Sequence, residues 1–124
     1  MPQTQKTILI ADDSSTMRMM LKGCFPSDAY AFCEAATSSE VLAQFEKRHP
    51  DLVLLDIIMP GGDEAGVEVL AQLMKAHPNA RVVMVTAIGQ ESTIRQCRKL
   101  GAKDYLIKPF DETIVRQVVE KYVA

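Results

Sequence analysis

The stretch Asp51-Leu52-Val53-Leu54-Leu55-Asp56 sets four consecutive aliphatic residues between two acids. Such a run is too short for an ordinary helix and lacks the alternation of a half-buried strand. It reads as a strand buried on both faces, the kind found in parallel sheets covered by helices. Pro50 marks the way in, and Asp56 closes the run with a lone carboxylate.

Working outward, three further runs end in the same manner. Thr7-Ile8-Leu9-Ile10-Ala11 ends on the acids Asp12 and Asp13, Arg81-Val82-Val83-Met84-Val85 on the hydroxyl of Thr86, and Asp104-Tyr105-Leu106-Ile107 on the amine of Lys108. Ala29 to Ala35 reads as a shorter, more polar strand at the sheet edge. Helical spacing fills the intervals. Met17, Met20, Leu21 and Cys24 follow a Ser14 or Ser15 cap. Thr37-Ser38-Ser39-Glu40 has capping-box spacing ahead of Val41, Leu42 and Phe45. Gly61 to Gly66 reads as a loop leading into a helix that carries Val67, Leu70, Ala71 and Met74 and stops near His77-Pro78. A fourth helix, about Glu91 to Leu100, shows Ile94 and Cys97 as core positions and Gly101 as its C-cap; so thin a stripe predicts a loosely held element. The last helix starts at an Asp111 cap and inserts Ile114, Val115, Val118, Val119 and Tyr122. Strand and helix alternate five times, which predicts an α/β fold with a parallel sheet between two helical layers.

The composition bounds the function. The 124 residues make one domain, 1–124, and nearly half of them are apolar, with no Trp. A formal net charge of −2 gives no reason to expect direct nucleic-acid binding. No apolar stretch approaches the roughly 20 residues that span a bilayer, so no membrane insertion is expected. Met1 to Lys6 lacks the apolar segment of a secretory signal. Cys24, Cys33 and Cys97 are scattered without metal-type spacing, which fits buried thiols in a reducing cytoplasm. His49 and His77 each sit by a proline at a helix end and read as surface caps without a ligand role. The Met17, Met19, Met20 group reads as packing rather than a binding box.

In a parallel sheet the C-terminal tips of the strands form one crevice, where ligands of open α/β folds bind. Three carboxylates, a hydroxyl and an ammonium gathered there suit phosphoryl chemistry with a divalent cation. An acidic pair crowded against a third carboxylate calls for a compensating cation. Mg2+ fits, because it takes hard oxygen ligands and keeps waters and substrate phosphate in its shell. The plainer alternative for Asp12 and Asp13 is a solvated pair capping the next helix. Asp56 is the candidate nucleophile, forming an acyl phosphate, or else an ordinary strand-end acid starting a turn. Lys108 would neutralise phosphoryl oxygens as a compact ammonium, and Thr86 would donate a hydrogen bond to one of them. Lys108-Pro109 is a candidate cis peptide. Tyr105 is either a plain strand aromatic or a ring that alternates between exposed and buried rotamers.

Ala11-Asp12-Asp13-Ser14, Asp56 with Met59-Pro60, Thr86-Ala87 and Lys108-Pro109-Phe110 together resemble the sequence blocks of response-regulator receiver domains, in order and spacing, over essentially the whole chain. Asp12-Asp13-Ser14-Ser15-Thr16-Met17-Arg18 is similar to the chemotaxis-type, single-domain (CheY-like) members. The resemblance implies a flavodoxin-like (βα)5 three-layer sandwich with a five-stranded parallel sheet of order 2-1-3-4-5. It implies that Asp56 accepts phosphate from a phosphohistidine, carried by a sensor histidine kinase or a phosphotransfer protein. Mg2+ would be held by Asp13, Asp56 and the backbone carbonyl of Ile58, with Asp12 acting largely through water. Thr86 and Tyr105 would be the switch pair, reshaping the face made by the fourth helix, fifth strand and fifth helix for a downstream protein target. A cytoplasmic monomer is implied, with phosphorylation-dependent dimerisation as the alternative.

Three departures from the family pattern stand out. The Gly61 to Gly66 loop is longer than usual. Ile58 and Ile88, two residues after Asp56 and Thr86, are apolar where many relatives are polar. Both flank the path of the water that hydrolyses the acyl phosphate, so a longer-lived phosphorylated state is expected. The alternative is that both isoleucines simply pack against loop neighbours.

The main reading is thus a phosphorylation-controlled binding switch, not an enzyme acting on other substrates. An aspartyl-nucleophile phosphatase would want a general acid at Ile58. A flavin module would want a hydroxyl- and Gly-rich first loop in place of two carboxylates. A degenerate receiver, binding without phosphorylation, would not need the full set Asp12, Asp13, Asp56, Thr86 and Lys108.

Overall fold

In a computed structural model of the chain, describing residues 5–26, 28–59, 65–87 and 91–123, strands and helices alternate throughout. The order is β1 (Thr7–Ala11), α1 (Ser15–Lys22), β2 (Ala31–Ala35), α2 (Ser38–Arg48), β3 (Leu52–Asp56), α3 (Ala65–Ala76), β4 (Val82–Ala87), α4 (Glu91–Leu100), β5 (Asp104–Lys108) and α5 (Glu112–Val123). The sheet runs β2-β1-β3-β4-β5 with every pairing parallel. This is the flavodoxin-like order the resemblance implies.

Every residue of β3 is buried, as its unbroken aliphatic run requires. Side chains alternate between the two faces of a strand, and the core divides accordingly. Leu9, Ala11, Val53, Leu55, Val82 and Met84 meet α2, α3 and α4 on one face. Ile8, Ile10, Leu52, Leu54, Val83 and Val85 meet α1 and α5 on the other. Each buried Leu or Ile is worth about 2 kcal/mol relative to exposure, so the central strands are fixed from both sides. Their tips are therefore a rigid platform.

The helix starts follow their caps. Ser14 caps α1 by accepting the Met17 amide at 3.2 Å. Thr37 accepts the Glu40 amide at 3.2 Å, while the Glu40 carboxylate reaches past the cap to the Ala36 amide at 2.6 Å. Asp111 accepts the Thr113 and Ile114 amides. α4 buries Cys97, with Ile94 and Leu100 packed partly against the core, and Gly101 follows it at φ +116°.

Several expectations needed correction. β2 begins at Ala31, and Asp51 lies outside β3, where its carboxylate accepts the Thr7 amide at 2.8 Å. Met20 is 51% exposed, because the inward stripe of α1 runs back from Leu21 through Met17 and Arg18. Ile114 is also 51% exposed, and Val115, Val119 and Val123 form the buried seam of α5. In α3 the inner face includes Val69 and Leu73 as well as Val67 and Leu70, while Ala71 and Met74 are half-buried. Ala65 and Gly66, read as loop, open α3 and are buried; residues 61–64 of that loop lie outside the described residues, as does Pro60.

Gly66 stands where no side chain fits. Its amide donates to the Ile57 carbonyl at 2.9 Å, and a Cβ there would land on the carbonyl oxygens of Asp56 and Ile57. The start of α3 is thereby seated directly on the backbone that carries Asp56.

Candidate functional site

Four strand ends converge at the C-terminal edge of the sheet. Asp12 follows β1, Asp56 ends β3, Thr86 is the penultimate residue of β4, and Lys108 ends β5. Among the described residues the buried polar or charged side chains are Asp12, Asp56 and Thr86. All three stand here. Unpaired charge is costly to bury, so each must be matched.

Lys108 supplies much of the match. Its Nζ lies 3.2 Å from Asp56 Oδ2 and 3.3 Å from Asp12 Oδ2, tying β5 to β3 and β1. The other Asp56 oxygen accepts the Ile58 amide at 3.1 Å, and the other Asp12 oxygen accepts the Ser14 amide at 2.9 Å. The Asp12 amide donates to the Ala35 carbonyl at 3.0 Å. Asp13 is exposed beside them.

One ammonium against three carboxylates leaves an excess of negative charge. One oxygen from each of Asp12, Asp13 and Asp56 lies within 4.8 Å of the other two. Burial, and next the charge of Asp12, push the Asp56 carboxyl up from 3.8 to about 6; the Ile58 amide and Lys108 oppose that rise. Burial alone would lower the Lys108 ammonium, but Asp56 and Asp12 outweigh it and hold the group above its ordinary value. The raised carboxyl is the mark of incomplete compensation. Hard oxygen donors in such a cluster fit Mg2+.

A cleft of about 280 Å³ opens over these groups, lined also by Met17, Ile57, Ile58 and Ala87. Ile58 is 46% exposed at its edge. The Thr86 hydroxyl donates to the Ala87 carbonyl at 3.1 Å. Ile88 lies outside the described residues. Tyr105 does not line this cleft. It is half-buried against the core that faces α2, α3 and α4, with the Arg98 guanidinium 5.5 Å from its ring centroid. It borders a second groove, about 510 Å³, with Ile107, Phe110, Ile114 and Val118. Thr86 pairs with Ile107, so Tyr105 sits two residues back along β5 on the neighbouring strand. The Lys108-Pro109 peptide is cis.

The family model for the response regulator receiver domain matches residues 8–120. The chain belongs to the response-regulator receiver family. It is similar to the chemotaxis protein CheY of Thermotoga maritima, 35% identical over 117 residues covering 94% of this chain and 96% of the relative. CheY of Listeria monocytogenes is 40% identical over 115 residues, covering 92% and 95%. Sporulation initiation phosphotransferase F of Bacillus subtilis is 38% identical over 116 residues, covering 94% and 92%. The solved receiver domain of NtrX from Brucella abortus superposes with a TM-score of 0.87 at 30% identity, covering 94% of this chain and 97% of that one. The protein is thus a CheY-like receiver domain of two-component systems.

Sequence reasoning missed some of the receiver's site. Ser14 contributes its amide as well as its capping hydroxyl; Asp12-Asp13-Ser14 has the spacing of an Asx-turn, which was the available signal. Met17 lines the cleft, and Gly66 underlies it. Arg18 bridges the first loop to β2. A lone arginine on a helix gave no hint of that.

Proposed function

We propose that this receiver accepts a phosphoryl group on Asp56, with Mg2+, from a phosphohistidine of a sensor histidine kinase or phosphotransfer protein in the cytoplasm. A carboxylate oxygen of Asp56 attacks phosphorus, the P–N bond to the donor imidazole breaks, and an acyl phosphate forms. Bound to Asp13, Asp56 and the Ile58 carbonyl, with Asp12 acting through water, the cation would neutralise charge on the transferring group. Lys108 counters the remaining negative charge, and Thr86 donates to a phosphoryl oxygen once its hydroxyl turns from the Ala87 carbonyl.

The observation that carries this reading is the burial of Asp56 beside Asp12 with Lys108 spanning both. The reacting carboxylate is thereby desolvated and set against a cation, Lys108, which opposes the upward push of burial and Asp12 on its pKa. Movement of Thr86 would free space for Tyr105, and the α4-β5-α5 face with its groove would present a different surface to a protein target. Phosphorylation biases the two states by the difference in its interactions with each.

Amide NMR spectra with acetyl phosphate and magnesium test the whole chain of events. Shifts at Asp56, Thr86 and Tyr105, spreading over α4, β5 and α5, are expected in the wild type and absent in Asp56→Asn. Shifts confined to Asp12 and Asp13 would contradict the switch and favour a receiver that binds partners without being phosphorylated.

A further inference from the structure

Arg18 is the inward-facing cation of α1. Its side chain is 16% exposed, its Nε lies 2.6 Å from Glu34 Oε1, and its Nη1 donates to the Asp12 carbonyl at 2.6 Å. Lys22 holds the other Glu34 oxygen at 2.6 Å. Glu34 is itself fixed on β2, where it pairs with Ile10 and its carbonyl accepts the Gln44 side chain at 3.1 Å. One guanidinium fork therefore ties the edge strand to the loop carrying the acidic pair.

The bonded atom is the informative part. The Asp12 carbonyl belongs to the peptide that joins Asp12 to Asp13. The Asp12 amide, in the preceding peptide, is held on Ala35 and its carboxylate on Ser14 and Lys108, and the Arg18 bond restrains the Asp12–Asp13 peptide plane itself. Asp13 follows it, exposed and with its course set by that plane.

We propose that Arg18 is a positioning residue for the cation site. By joining Glu34 to the Asp12 carbonyl it sets the direction in which the Asp13 carboxylate faces the crevice. The inference rests on the reading of the three carboxylates as a magnesium site. Its sign separates it from simple electrostatics. Removing a positive charge next to an acidic cluster should tighten cation binding by Coulomb attraction alone, whereas loss of positioning should weaken it.

Isothermal titration with magnesium chloride on the metal-free protein reads the difference, with a thermal melt of each variant beside it. Arg18→Gln is expected to raise the magnesium Kd about tenfold, as outer-shell substitutions do. Arg18→Lys keeps the charge but loses the fork, and is expected to weaken binding severalfold. Lys22→Gln removes the same charge from Glu34 without touching the loop, and should leave Kd within about twofold. An unchanged or lower Kd in Arg18→Gln would overturn the proposal, and if that variant does not fold, an unchanged Kd in Arg18→Lys does so. Equal weakening in Lys22→Gln would also overturn it. A folded wild type that binds no magnesium would remove the metal reading itself, and this inference with it.

Discussion

Asp56 is held at a cost that the rest of the site explains. Its carboxyl is pushed up to about 6, chiefly by burial and by Asp12. A carboxyl whose folded pKa exceeds its unfolded value binds its proton more tightly when folded. Its contribution to stability is therefore full below about pH 4 and is lost as pH rises through 6. In metal-free buffer at pH 7.5, Asp56→Asn is expected to stabilise the fold by about 1 to 3 kcal/mol. The gain should shrink at pH 4 and in magnesium; denaturant melts at the two pH values check it. Ile58 tests the chemistry from the other side. In the proposed function its side chain, exposed at the cleft edge, would shield the acyl phosphate from water, so Ile58→Asn should shorten the phospho-Asp56 lifetime severalfold, and Ile88→Glu likewise. Unchanged lifetimes by phosphate release would contradict this. At this scale much was legible. Asp12, Asp13, Asp56, Thr86 and Lys108 each close an apolar run, and strand ends must meet in one crevice. Arg18 was not legible, because its partners lie on β2 and in the first loop, and no local pattern reports a contact between them.

The helices show why element boundaries are harder to read than element order. Caps were readable because they are local: Ser14, Thr37 and Asp111 each accept amides within three residues. Inner faces were less so. Counting apolar positions placed Met20 and Ile114 inside, yet both are exposed, since an apolar side chain beside a seam is free to lie on the surface. Gly66 is the sharpest case. A glycine-rich stretch reads as loop, whereas this glycine lies in α3, where the close Asp56–Ile57 backbone leaves no room for a side chain. Gly66→Ala is expected to destabilise the protein by about 1 to 3 kcal/mol through overpacking, despite alanine's better helix propensity. Urea unfolding measures it, and a neutral or stabilising result would show that α3 can shift away from Asp56 freely.

Across the whole molecule, two packed cores make the five-stranded sheet a fixed frame. The acidic cluster and Lys108 occupy the C-terminal end of it, and β5 runs from Lys108 back to Tyr105. Lys108 reaches Asp56 at one end of that strand, and Tyr105 packs three residues earlier beside Arg98 and the open groove. In the proposed switch, a change at Asp56 would reach the α4-β5-α5 face along this strand. That path depends on Asp56 being a phosphoacceptor, which is the central claim. Intact-mass spectrometry tests it most directly, with the protein incubated in acetyl phosphate, with and without magnesium, beside Asp56→Asn. The account predicts a gain of one phosphoryl group in the wild type, dependent on magnesium and absent from the mutant. No gain under any condition, or an equal gain in Asp56→Asn, would contradict it.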